Sequence, residues 1–172
     1  MKEELRIYIK NNLEKEYSFR FFRKSKSLLV EDNEYLENET YDYLPLKEKS
    51  SIKEFIKEKD KYSNFQTLLF KMIDERNLKD SDVYNKVHID RRLFSKIRNE
   101  DYHPSKETII LLGLSLELNE EEIIKLLDSA SYSLPKNNYY DLIIRFCFIN
   151  KIYDLVSVND LLQEYNCKLF NY

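Results

Sequence analysis

The sequence predicts an all-α protein, and three observations support this prediction. The 172-residue chain contains only one Gly and three Pro, whereas sheets with tight hairpins usually need more Gly. Apolar residues recur at helical spacing, beginning with Leu5, Ile9 and Leu13. Polar residues that favour helix N-caps precede most of the later apolar segments. Helices joined by short polar turns account for all three observations.

Charge and spacing divide the chain into three zones. Residues 1–62 are predicted to form a charged extension, with a helix near residues 2–16, an irregular connection and a second helix near residues 51–61. Residues 63–119 are predicted to form a compact helical domain, because caps and apolar positions alternate regularly there. Residues 120–172 are expected to add helices that pack on this domain.

Polar residues at helix starts predict where the later helices begin. Ser63 and Gln66 have the spacing of a capping box, and Asn119 and Glu122 repeat it. Further helices are predicted to begin at Asp80, at Asp90, at Pro104-Ser105 and at Ser157. A very apolar helix is predicted near residues 138–150. Pro135 is expected to end the helix that follows Asn119.

Bulk properties exclude several classes of function. The net charge of −3 does not indicate a strongly basic nucleic-acid binder, so any basic surface must be local. Cys147 and Cys167 lack a CxxC pair and form a poor zinc set with His88 and His103, so we expect free thiols and no metal site. No apolar run approaches the roughly 18–20 residues that span a bilayer, which favours a cytoplasmic protein without a membrane partner.

Sequence motifs for catalysis are also missing. The chain has no Gly-rich phosphate loop, no HExxH motif and no nucleophile elbow. The carboxylates Glu120, Glu121 and Glu122 are better explained as charges that stabilise a helix N-terminus. We therefore expect neither an enzyme nor a cofactor.

The segment from Leu78 to Leu118 carries the most specific pattern. A short helix precedes a break at His88-Ile89-Asp90, and a second short helix begins at Arg91. This segment resembles the helix-turn-helix of the lambda-repressor-like family, also called the Cro or xenobiotic-response-element type. The matching positions are Val83 in the first helix, Ile89 in the turn, Phe94 and Ile97 facing inward, Ser95-Lys96, and Pro104-Ser105. The resemblance implies an all-α lambda-repressor-like helix-turn-helix bundle, with an irregular N-terminal extension and extra C-terminal helices.

In that family the second helix of the pair enters the major groove of DNA. Residues 91–98 contain four cations and no acid. Arg can bind guanine through two hydrogen bonds, and further cations can neutralise phosphates. The predicted DNA-binding residues are Arg91, Arg92 and Ser95 toward the bases, with Lys96, Arg98 and Lys106 toward the phosphates. The resemblance also makes double-stranded DNA the expected partner, a homodimer plausible, and a bacterial, phage or mobile-element regulator the narrower prediction.

Some residues favour a different function. The family usually has Gly where this chain has His88, and a phosphate-binding Gln where this chain has Asp80, Ser81 and Asp82. Two carboxylates at that place would repel phosphates. The alternative is a protein-interaction or inhibitor module on the same scaffold, for example in phage–host conflict. RNA binding is a third and weaker alternative.

An acidic, Tyr-containing run at residues 31–43 leaves three interpretations open. It could be a solvated loop, a contact with the basic helix of the same chain, or a mimic of nucleic-acid charge offered to a protein partner. The basic and aromatic cluster from Arg20 to Lys26 could stack on bases or bind phosphates, or its Phe residues could be buried with the cations in solvent.

Overall fold

The structure, a computed structural model, describes residues 1–13 and 64–171. These two ranges contain eight α-helices and no strand, so the prediction of an all-α protein is confirmed for the described part of the chain. The helices are α1 (2–13), α2 (Phe65–Glu75), α3 (Asp80–Lys86), α4 (Arg91–Ile97), α5 (Lys106–Ser115), α6 (Glu120–Ser129), α7 (Tyr139–Ile149) and α8 (Leu155–Glu164).

A single hydrophobic core joins all eight helices. Helix α5 lies deep in this core, and its Ile109, Ile110, Leu112 and Leu114 are fully buried. It packs against α3 and α6, while α6 also packs against α2 and α7. A helix that is apolar on every side is expected in such a central place.

Helix α1 packs on the C-terminal helices. Leu5 and Ile9 are buried, as their spacing predicts. The Arg6 guanidinium donates two hydrogen bonds to the Glu164 carboxylate, at 2.9 and 3.1 Å. The Tyr8 ring lies 5.6 Å from the ring of Phe146. The beginning of the chain is therefore part of the same core as its end.

The capping predictions are partly confirmed. Asp90 and Ser105 cap α4 and α5 through their side chains, and Asn119 forms a capping box with Glu122 at the start of α6. Three other helix starts differ from the predictions. Asn64 rather than Ser63 caps α2, Asp80 is the first residue of α3 rather than its cap, and Asp154 rather than Ser157 precedes α8 as its cap.

Helix C-termini share one unusual feature. Six of the seven helices from α2 to α8 are followed by a residue with a left-handed backbone, and none of these residues is Gly: Asn77, His88, Glu117, Ser131, Lys151 and Asn166, with φ between 52° and 60°. In each case the next amide donates to a carbonyl five residues back, as Ile89 does to Tyr84 at 2.9 Å. This is the Schellman motif, in which Gly usually takes the left-handed position. The predicted stop at Pro135 was wrong, because α6 ends at Ser129 and Ser131 makes this turn.

The one Gly of the chain serves packing instead. A Cβ atom on Gly113 would lie 2.5 Å from Cδ1 of Ile123 and 3.1 Å from Cζ of Phe148. Real Cβ atoms essentially never show the first distance, and the second is tighter than most real contacts, so Gly113 allows α5 to lie close to α6 and α7.

Several predictions lie outside the described residues. These are the helix near residues 51–61, the Arg20–Lys26 cluster and the acidic run at residues 31–43. Among the described helices, none has the length and hydropathy needed to cross a membrane.

Candidate nucleic-acid interface

Helix α4 presents a cationic face to solvent. The side chain of Asp90 accepts hydrogen bonds from the amides of Arg92 and Leu93, which fixes where the helix begins. Phe94 and Ile97 are buried in the core. Because these two positions face inward, the opposite side of the helix is exposed. We call the exposed residues Arg91, Arg92, Ser95 and Lys96 the α4 face.

The cations of the α4 face differ from Arg98 and Lys106 in their partners. Within the described ranges, no hydrogen bond or ion pair joins the side chain of Arg91, Arg92 or Lys96 to another described residue. The α4 face therefore carries, within two helical turns, three cations that no described residue neutralises.

Arg98, at the end of α4, is held by two neighbours. Its Nη2 atom donates to the Asp80 carboxylate, and its Cζ atom lies 4.4 Å above the centre of the Phe70 ring. A guanidinium over an aromatic face gains a cation–π contact, and its edge remains free to donate hydrogen bonds. The structure thus holds Arg98 in a defined position while leaving its side chain 55% exposed.

Lys106 does not join the α4 face. Its Nζ atom is paired with the carboxylate of Asp141, whose side chain is only 6% exposed. Asn138 donates a further hydrogen bond of 2.7 Å to the same carboxylate. A buried carboxylate needs such partners, and removing one of them is costly. Of the six predicted binding residues, Lys106 is the one that is paired with a buried carboxylate.

The turn between α3 and α4 holds the two helices in a defined arrangement. His88 adopts φ 54°, and Ile89 behind it is buried. The hydroxyl of Ser115, on α5, donates a buried hydrogen bond of 2.6 Å to the carbonyl of Val83. Helix α3 is therefore tied to the central helix, and α4 follows it at a short, hydrogen-bonded turn.

This turn is not unique in the molecule. The series of a left-handed residue, an apolar residue and an N-cap recurs at Asn77-Leu78-Lys79 and Glu117-Leu118-Asn119. What distinguishes the turn at His88 is the charge of the helix that follows it. Helix α6 begins with three glutamates, whereas α4 begins with two arginines.

A polar cleft of about 590 Å³ lies between α3 and α4. Its lining includes the cations Lys79, Arg91 and Arg98, the hydroxyls of Ser81 and Ser95, and the single carboxylate of Asp80. Tyr84 and Phe94 form part of its wall, with ring centres 5.5 Å apart. We call it the α3–α4 cleft. It is continuous with the α4 face, because Arg91 and Ser95 belong to both.

Exposed carboxylates also lie close to α4 along the chain. Glu100 and Asp101 follow the helix, and Asp82 lies on α3, where it lines a different cleft together with Lys86 and Glu117. The positive charge of this region is therefore local, in keeping with the net charge of −3. The sequence shows these acids, but the ion pair between Asp80 and Arg98 could not be predicted from it.

Other chemistry has little support in the described residues. No group of His, Cys, Asp and Glu side chains there could hold a metal ion. Both cysteines are free, as predicted, and burial raises the pKa of Cys147 to about 12, which keeps it a neutral thiol at ordinary pH. His103 bonds through Nε2 to the carbonyl of Ala130 at 2.9 Å, which gives it a role in holding the loop before α5.

Comparison with known proteins leaves the chain without a relative from which to transfer a function: no protein-family model, no curated protein and no solved structure matches it.

Proposed function

We propose that the protein is a sequence-specific DNA-binding regulator in which α3 and α4 form a helix-turn-helix of the lambda-repressor-like type. Helix α4 would enter the major groove with its exposed face toward the bases. The observation that carries the proposal is the set of three cations on that face, Arg91, Arg92 and Lys96, for which the described residues supply no partner. Other described cations without an ion pair, such as Lys125, Lys136 and Lys151, are scattered over the chain, whereas α4 carries three on one helix face.

The residues of the α4 face suit different parts of DNA. Arg91 and Arg92 lie at the N-terminal end of α4, where a recognition helix contacts base edges, and a guanidinium can donate two hydrogen bonds to guanine. Ser95, one turn later, can reach a base or a phosphate. Lys96 is a point charge suited to phosphate, and it contributes affinity rather than specificity.

The test is binding to random-sequence duplex DNA at low and moderate salt. We expect binding that weakens with salt, and its loss in the variant Arg91→Ala/Arg92→Ala/Lys96→Ala. A matched control removes three other exposed lysines, Lys125, Lys136 and Lys151, each replaced by Ala. Both variants change the net charge by the same amount, so only a direct role of the α4 face predicts a difference between them. Equal binding by the two variants would contradict the proposal.

A second candidate function is a protein-interaction module on the same scaffold. The observation in its favour is the set of exposed carboxylates close to α4 along the chain, Asp82 on α3 and Glu100 and Asp101 after α4, since a carboxylate repels a DNA backbone lying close to it. Absence of binding to duplex DNA at low salt would favour this function, and capture of a partner that the triple variant fails to capture would support it. The narrower proposal of a phage or mobile-element regulator rests on the sequence resemblance alone.

A further inference from the structure

The α3–α4 cleft brings cations and hydroxyls to one place beside the α4 face. Three cations, Lys79, Arg91 and Arg98, line it together with two serine hydroxyls. Such a set matches the needs of a phosphate group, which accepts hydrogen bonds and carries negative charge. One carboxylate, that of Asp80, lies in the same cleft and already takes a hydrogen bond from Arg98.

Arg98 is positioned to bind an anion that presents two oxygen atoms to its guanidinium group. The Phe70 ring covers one face of its guanidinium plane, so its N–H groups are directed along the edge. A carboxylate and a phosphodiester both present two oxygens that share a negative charge, and a guanidinium binds either in the same way. Asp80 therefore occupies at Arg98 the place that a phosphate would take.

Solvent reaches this ion pair. The side chains of Arg98 and Asp80 are 55% and 38% exposed. Exposed pairs of this kind contribute little to stability and exchange partners readily. The pair is consequently weak enough to be opened by a ligand.

We infer that Asp80 is an internal competitor for phosphate at Arg98, and that a backbone phosphate of DNA enters the α3–α4 cleft by taking Arg98 from Asp80. The inference rests on the proposed function and adds a site to it. Lys79 and Ser81 join the interface on the α3 side of the cleft. Asp80 lowers affinity for any phosphate backbone, so that binding depends more on the base contacts of Arg91 and Arg92.

The experiment compares Asp80→Asn with Asp82→Asn in binding to random-sequence duplex DNA over a series of salt concentrations. Asp80 and Asp82 both lie in the first turn of α3, and each substitution removes one negative charge from it. Only Asp80 is paired with Arg98; the Asp82 carboxylate accepts a 3.4 Å hydrogen bond from Ser81. Asp82→Asn therefore measures the general effect of charge, and the difference between the variants measures the competition.

We expect Asp80→Asn to bind about two to five times more tightly than Asp82→Asn, the change that follows from freeing one cation of an exposed pair. The slope of log K against log salt should become steeper by up to about 0.9 in Asp80→Asn, because one more phosphate is neutralised. Equal affinities and equal slopes in the two variants would overturn the inference.

A second measurement separates this inference from the proposed function. The Arg98 Nε–H resonance is followed by NMR while inorganic phosphate is added to each variant, without DNA. A saturable shift in Asp80→Asn that is weaker in wild type and in Asp82→Asn supports competition at Arg98, even if duplex DNA does not bind. The same small shift in all three proteins would overturn it. Wild-type protein that fails to bind DNA at low salt contradicts the proposed function and not the phosphate site.

Discussion

Replacing left-handed residues after helices with Gly should stabilise this protein. Ser131 and Lys151 are the clearest positions, because both are exposed and neither takes part in an ion pair of the described residues. Their φ angles are 60° and 56°. The turns that they complete are intact, with Tyr132 donating to Leu127 at 2.9 Å and Ile152 donating to Cys147 at 2.8 Å.

The expected gain follows from two opposing effects. A left-handed backbone costs a residue with a Cβ atom about 1–2 kcal/mol, a cost that Gly does not have. Gly in turn loses more conformational freedom on folding, which costs about 0.5–1 kcal/mol. The difference leaves about 0.5–1 kcal/mol in favour of Gly at each position. The two turns share no hydrogen-bond partner, so the double variant should gain about 1–2 kcal/mol.

Urea unfolding followed by circular dichroism measures this gain. Ser131→Gly and Lys151→Gly should each raise the midpoint without changing the slope of the transition. The control is Lys151→Ala, which removes the same side chain but keeps a Cβ atom, so it should show no such gain. Gly variants no more stable than wild type, or an Ala variant that gains as much, would refute the reasoning.

Two further predictions concern packing and charge. Gly113→Ala should destabilise the protein by about 1–2 kcal/mol, since overpacking outweighs the better helix propensity of Ala. Ile123→Val removes the Cδ1 atom that lies 2.5 Å from the added Cβ, so in urea unfolding the second substitution should restore part of this loss. Strictly additive costs of the two substitutions would contradict the contact. Burial opposes ionisation of Glu122, but hydrogen bonds from the Asn119 amide and from Arg76 outweigh it and lower the pKa of Glu122. Its folded pKa is then below the unfolded value of about 4.3, so its stabilising effect is present above that pH and is lost as the pH falls through the folded pKa. Glu122→Gln should cost about 0.5–1 kcal/mol at neutral pH and progressively less as the pH falls through the folded pKa, and a cost that does not change with pH would contradict this assignment.

The core and α4 could be predicted from the sequence because their signals are local. Asp90 precedes a run in which Phe94 and Ile97 recur at helical spacing, and this is enough to orient the helix. The exposed positions of Arg91, Arg92 and Lys96 follow from that orientation. Periodicity and caps therefore give both the helix and the face that it turns to solvent.

The partners of the charged residues could not be predicted in this way. Arg98 pairs with a residue 18 positions away and Lys106 with one 35 positions away. Helical periodicity describes only neighbours within a few residues, so it treats both cations as free. The error at Asp80 has a local cause, since an acid in the first turn and an acid at the N-cap are both favourable beside a helix N-terminus.

The left-handed turns could also not be predicted from the sequence pattern, apart from the one at His88. Gly is the usual signal of a helix C-terminus, and this chain uses its single Gly inside α5. Lys151 and Glu117 carry no local sign of a left-handed backbone. The residue after each is apolar and packs on the core: Leu118 after Glu117 is fully buried, and Ile152 after Lys151 is partly buried.

The most direct test of the proposed function is the salt dependence of binding to random-sequence duplex DNA for wild type and for Arg91→Ala/Arg92→Ala/Lys96→Ala. If the α4 face contacts DNA, log K falls linearly with log salt for the wild type, and the triple variant loses about 0.9 from that slope, the change for the one phosphate contact assigned to Lys96. No binding by wild type at low salt, or an unchanged slope in the triple variant, would contradict DNA recognition through α4.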